Sequence, residues 1–152
     1  MKIDKFEDFN KGSLVVAGFP GIGKSHLKDM GGDKISDSDS SKFPKDSFPE
    51  NYIDHIQSLL GKKEIILVST HKDVLMEMER VGIDYILVYP DRSLKSEYLD
   101  RYRNRKSPTQ FVNVLDQKWD SFMKDIDAAN PNKRIILKSG EYLMDKLTSL
   151  YL

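Results

Sequence analysis

Fourteen residues near the amino end constrain this chain more than any other stretch: Leu14-Val15-Val16-Ala17-Gly18-Phe19-Pro20-Gly21-Ile22-Gly23-Lys24-Ser25-His26-Leu27. The four apolar residues 14–17 read as a strand buried on both faces. Directly after them, Gly18 to Ser25 fits the spacing G-x-x-x-x-G-K-[ST] at every fixed position. Glycines there let the backbone curl until consecutive N–H groups point inward at an anion. The helix that follows adds the positive end of its dipole. In such a phosphate-binding loop (a P-loop) Lys24 reaches the β- and γ-phosphates and the Ser25 hydroxyl holds Mg²⁺. Gly18, Pro20, Gly21, Ile22, Gly23, Lys24, Ser25 and His26 are therefore the expected nucleotide-binding residues, with Mg²⁺ beside the phosphates. A chance glycine-rich turn before a helix is the competing reading. A buried strand, the complete motif and a helix in the right order favour the loop.

The rest of the chain must supply a scaffold for it. At 152 residues the length suits one domain with a substantial core, and residues 1–152 are expected to form it. Twenty-four basic and 24 acidic residues cancel, so no global field favours nucleic acid or a membrane, although a local basic patch stays open. Cysteine is absent, which excludes disulfides, thiol catalysis and Cys-type zinc sites. Residues 1–9 lack the apolar run of a targeting signal, and no stretch reaches the ~18 apolar residues of a membrane span. A soluble, cytoplasmic protein with no membrane contact is the expectation.

Hydrophobic patterning alternates between strand and helix. A charged lead-in, with Phe6 and Phe9 expected on the sheet edge, precedes the first strand. A short helix runs from Ser25 to about Met30 and stops at Gly31-Gly32. A brief second strand, 34–36, ends at Asp37-Ser38-Asp39. Residues 42–51, with two Phe-Pro pairs, read as an extended polar loop. A helix from about Pro49 to Gly61 follows, then strand 64–70, helix 71–81 and strand 85–90. A charged helix, Leu94 to about Arg105, is broken at Ser107-Pro108. A longer helix from Thr109 carries Phe111, Val112, Leu115, Trp119 and Phe122 inward. Strand 134–138 and a closing helix from Tyr142 complete the chain. This alternation predicts a three-layer α/β/α domain of P-loop NTPase type, with about five parallel strands and right-handed crossovers. Ligands of such sheets sit beyond the carboxyl ends of the strands.

Those ends carry the candidate chemistry. Asp37-Ser38-Asp39 puts two carboxylates beside the loop, where Asp37 or Asp39 suits Mg²⁺ or a hydroxyl proton; a solvated turn is the alternative. Ser69-Thr70-His71 offers hydroxyls in place of the carboxylate many such proteins carry there, and His71 reads first as a helix-start residue. Arg101 and Arg105, i,i+4 on one helical face, suit a mobile lid (94–108) that places cations over a transferring phosphoryl group. A solvated basic helix paired with Glu97 and Asp100 is the alternative. Ser139 to Tyr142 forms a loop able to touch an adenine ring, or simply a turn before a helix.

Several stretches resemble a family of small P-loop kinase-like proteins of tailed phages and large DNA viruses. They are residues 18–25, Asp37 to Ser41, Phe48 to Ile56, Val68 to Lys72, Leu87 to Pro90 and Glu97 to Arg105. More distantly, the P-loop, the Asp-Ser-Asp turn and the arginine helix resemble nucleoside monophosphate kinases and shikimate kinase. The resemblance implies ATP-dependent phosphorylation of a nucleotide, first among them a (deoxy)nucleoside monophosphate, or a related small acceptor, in the host cytoplasm if the chain is phage-encoded. Lys24, Asp37, Arg101 and Arg105 are then the catalytic set, Ser25 and Asp37 the metal set, and Asp39, Phe43 and Tyr52 the acceptor contacts. The carboxylate usual after strand three is absent, and the segment between strands two and three is too short for the full acceptor domain of monophosphate kinases. Two other readings stand beside it. One is a non-kinase NTP-binding or hydrolysing module, for which no guanine-specificity motif is present. The other is a kinase of a modified base in DNA, which the neutral net charge disfavours.

Overall fold

The computed structural model describes residues 10–151, with side chains as far as Leu147. The expected packing of Phe6 and Phe9 lies outside the described residues. Five strands form one parallel sheet in the order β2-β3-β1-β4-β5. They are β1 (Leu14–Gly18), β2 (Ile35–Asp37), β3 (Ile65–Val68), β4 (Ile86–Pro90) and β5 (Lys133–Leu137). Six α-helices connect or follow them among the described residues: α1 (Lys24–Gly31), α2 (Glu50–Leu59), α3 (Lys72–Val81), α4 (Lys95–Asn104), α5 (Thr109–Ala128) and α6 (Leu143–Tyr151).

The central strands explain their own composition. β1 lies between β3 and β4, with Val16 opposite both Leu67 and Ile86. Every residue of β1, β3 and β4 is buried, so these strands read as unbroken apolar runs instead of alternating ones. The edge strands β2 and β5 keep exposed positions, as sheet edges do. Helix α1 contacts α6, α2 contacts α3, and α4 contacts α5, an arrangement consistent with α/β/α layering. The chain leaves β1 for the β2 edge and later crosses back over β1 from β3 to β4. That reversal opens a crevice at the carboxyl end of β1, where the Gly18–Ser25 turn sits.

Two local expectations are corrected. The segment 42–51 is not extended throughout, because short 3₁₀ turns occupy Ser40–Lys42 and Lys45–Ser47. Phe43 and Phe48 themselves stay extended, as residues before proline must, and both turn inward onto Tyr52 with ring centroids 4.9 and 6.0 Å away. The second correction concerns α4. It is charged on one side only: Tyr98, Leu99 and Tyr102 are buried, and Tyr98 meets Phe19 and Trp119. Three buried side chains thus fasten to the core the helix that the sequence suggested as a lid. Trp119 is in the core as expected, its indole N–H donating to the Arg92 carbonyl at 3.1 Å. No described helix is long and apolar enough to cross a membrane.

Candidate functional site

The Gly18–Ser25 turn is shaped from outside. Phe19 continues β1, its N–H donating to the Val88 carbonyl at 3.0 Å, and its ring is buried 5.3 Å from Trp119. Ile22 is buried as well, so two variable positions of the motif anchor the turn in the core. Gly21 and Gly23 adopt φ of 91° and 97°, conformations open to glycine. At Gly21 a Cβ would also stand 2.9 Å from the Tyr102 ring.

Four carbonyls of the turn, those of Gly18, Pro20, Gly21 and Ile22, are taken up by protein donors. Lys24 Nζ donates to Gly18 O. The Tyr102 hydroxyl donates to Pro20 O at 2.8 Å, Arg101 Nη1 to Gly21 O at 2.8 Å, and the Leu143 N–H to Ile22 O at 2.8 Å. The N–H groups of Gly21, Ile22, Gly23, Lys24, Ser25 and His26, by contrast, have no acceptor among the described residues. Carbonyls out and N–H groups in, at the start of α1, make a cradle for an anion.

Lys24 supplies the cation. The residue keeps partial exposure, yet burial around its ammonium lowers its pKa to about 8, with Arg105 adding to the fall and Asp37 and Asp39 opposing it. Asp37, at the end of β2, is exposed, and its Oδ2 lies 3.5 Å from Ser25 Oγ. Two hard oxygen donors beside the turn could hold Mg²⁺, a cation that binds through few side chains and keeps waters. No cluster of three His, Cys, Asp or Glu is present among the described residues, as that mode of binding allows.

The acceptor residues expected from the sequence separate into different roles. Asp39 caps the Ser40–Lys42 turn, accepting from Ser41 N at 2.9 Å and Ser41 Oγ at 2.7 Å. Partial burial works to raise its pKa, but the Ser41 bonds, with Lys42 and Lys24 nearby, carry it below the usual carboxylate range. Tyr52 is fully buried and contacts no open space. Its hydroxyl donates to Ser38 O at 2.7 Å and accepts from Ser69 N at 3.3 Å, bracing the end of β2 against the end of β3. Phe43 is half-buried against Tyr52 and His55. Tyr52 is thus a brace and not an acceptor contact. His71 is the helix-start residue the sequence suggested: its Nδ1 accepts from Asp73 N at 3.1 Å.

Arg101 is corrected most sharply. Its side chain is only 11% exposed, and its guanidinium is spent on the Gly21 carbonyl, Glu97 at 3.1 Å and the Glu141 carbonyl at 3.1 Å. It is sandwiched by the Tyr98 and Tyr142 rings at 4.3 and 4.0 Å. It shapes the cradle instead of reaching over it. Arg105 is exposed, rests on the Tyr102 and Phe111 rings, and donates to Ser107 Oγ at 3.0 Å.

Sequence reasoning missed Tyr98, Tyr102 and Glu97 as shapers of the site. Glu97 accepts from Ser139 Oγ at 2.5 Å and Gly140 N at 3.0 Å, holding the β5–α6 loop; those bonds outweigh desolvation and keep its pKa below the ordinary value. The signal was present: Tyr98 and Tyr102 stand i,i+4, an apolar stripe within a charged helix.

Two cavities flank the cradle. One, of about 380 Å³, is bounded by Gly23, His26, Tyr142, Met144 and Asp145. The other, of about 550 Å³, runs from Lys24 and Phe19 between the β3–α3 junction and α5. No family model matches the chain, and no curated protein matches it. A crystal structure of an uncharacterized protein from Eubacterium ventriosum ATCC 27560 aligns with 92% of this chain and 96% of that one, at 12% identity and a TM-score of 0.46. A likeness that weak carries no argument about fold or function.

Proposed function

We propose that the chain is a P-loop phosphotransferase that moves a phosphoryl group from ATP to a nucleoside- or nucleotide-class hydroxyl acceptor. The observation that carries the reading is the run of six N–H groups, residues 21–26, that have no acceptor among the described residues and surround Lys24, with the Pro20, Gly21 and Ile22 carbonyls held by protein donors. Donors aimed in advance at a polyphosphate need no rearrangement when it arrives, which is how electrostatic stabilisation is made effective.

In this reading the β- and γ-phosphates lie in the cradle on Lys24, and the base enters the cavity between His26 and Tyr142. Ser25 directly, and Asp37 through a water, would hold Mg²⁺, which when bound offsets phosphate charge. The acceptor oxygen attacks the γ-phosphorus, a new O–P bond forms, and the bond to the β–γ bridging oxygen breaks. That oxygen leaves with the electron pair on ADP. Asp37, freer than the turn-capping Asp39, takes the hydroxyl proton. Arg105 faces the charge on the moving group.

Binding of ATP, measured by calorimetry, and transfer of label from γ-³²P-ATP across a panel of nucleosides and nucleotides test the proposal. ATP affinity in the micromolar range, lost in Lys24→Ala, is expected. A protein that binds no nucleoside triphosphate would end the reading.

A further inference from the structure

The 550 Å³ cleft is of the size of a small-molecule site and opens directly beside Lys24. Its chemistry is one-sided. The rings of Phe19, Phe111 and Phe122 and the aliphatic side chains of Val114, Leu115 and Ile126 supply one wall. Val114 is 40% exposed, an apolar side chain left partly uncovered at the edge of a cleft. The opposite wall carries neutral donors and acceptors, Ser40, Ser41, Ser69 and Thr70. Charge is sparse: Lys24 belongs to the ATP phosphates, Lys72 and Asp125 oppose one another in sign, and His71 has its Nδ1 engaged by Asp73 N at the start of α3.

An acceptor carrying its own phosphate requires a clamp, and arginine forks are the usual means. None lines this cleft. Arg101 is committed to the P-loop carbonyl, and Arg105 stands on the Phe111 ring at the Lys24 end, beside the donor phosphate. A phosphomonoester dianion would lie among apolar walls where Lys72 is offset by Asp125, a costly burial. A flat, uncharged ring with a hydroxyl suits the same surface, its faces against phenylalanine rings and its edges on the serine and threonine hydroxyls.

Resting on the kinase reading above, we infer that the acceptor is a neutral nucleoside, bound through its base in the cleft between α5 and the β3–α3 junction, and not a nucleoside monophosphate. The step is the transfer already described: the nucleoside hydroxyl oxygen gains the γ-phosphoryl group, its proton leaves to Asp37, and ADP departs with the bridging oxygen's electrons.

The test compares γ-³²P-ATP transfer to the common ribo- and deoxynucleosides with transfer to their 5′-monophosphates, alongside ATP affinity by calorimetry. Expected is at least one nucleoside with kcat/KM tenfold or more above its own monophosphate. Val114→Glu, a surface change, should lower that kcat/KM at least tenfold with ATP affinity within about twofold and thermal unfolding unchanged. Preference for a monophosphate, or nucleoside transfer indifferent to Val114→Glu, overturns the inference and leaves the kinase reading standing. Intact ATP binding with no nucleoside accepted overturns it as well. Loss of ATP binding in the unaltered protein overturns both.

Discussion

With its pKa lowered to about 8, Lys24 is divided between charged and neutral forms at mildly alkaline pH. Phosphates favour the charged form, so ATP should raise that pKa and draw a proton from solvent. Calorimetry at pH 8.5 in buffers of different ionisation enthalpy should register net proton uptake, absent in Lys24→Met. ATP affinity should weaken as pH rises through about 8. For stability the sign is opposite: between about 8 and 10.5 the unfolded chain holds more protons at this site, so the Lys24 contribution improves as pH rises across that window. Asp37→Asn keeps the shape and removes the charge. It should leave ATP affinity within roughly tenfold and lower turnover by about 10²–10⁴, the usual worth of a general base. At this scale the sequence was most informative where spacing enforces chemistry. The motif's spacing put Lys24 and Ser25 at a turn-to-helix junction, and the structure starts α1 at Lys24. The sequence could not tell Asp37 from Asp39, since only the Ser41 bonds distinguish a capping carboxylate from a free one.

Among the elements, α4 joins the cradle to the core. Arg101→Ala removes the Gly21 and Glu141 tethers and leaves Glu97 with one partner fewer in a half-buried place. The expected loss is on the order of 2–3 kcal/mol in urea unfolding, with weaker ATP binding. A lid arginine that met only the moving phosphoryl group would instead lower kcat and leave stability alone, so the pair of measurements separates the two roles. Tyr52→Phe, which keeps the ring and deletes the hydroxyl shared by Ser38 and Ser69, should cost about 1–2 kcal/mol. The order of strands and helices was legible, because unbroken apolar runs and i,i+4 stripes are local signals. The part played by α4 was not. Its sequence is dominated by Glu97, Asp100, Arg101, Arg103 and Arg105, and nothing local reveals that one of those arginines turns inward between two tyrosine rings.

For the molecule as a whole, nucleotide binding should appear as stability. ATP at about a hundred times its dissociation constant adds ~2.7 kcal/mol, which for a domain of this length is about 5–10 °C in Tm. Lys24→Ala should lose most of that shift in a thermal scan. Parallel order was predictable from the alternation of strand and helix, whereas the placement of β1 between β3 and β4 depends on contacts that no local pattern encodes. The fastenings of the Gly18–Ser25 turn have a consequence for a chain made from one end. The loop occupies residues 18–25, but the donors that turn its carbonyls outward are Arg101, Tyr102 and the N–H of Leu143. A ribosome completes the loop early and its fastenings more than seventy residues later, so the emerging segment carries the motif without the site. A fragment ending near residue 90 should contain the full G-x-x-x-x-G-K-S sequence and retain no ATP, and on the ribosome nucleotide capture should begin only after the last helix has left the tunnel.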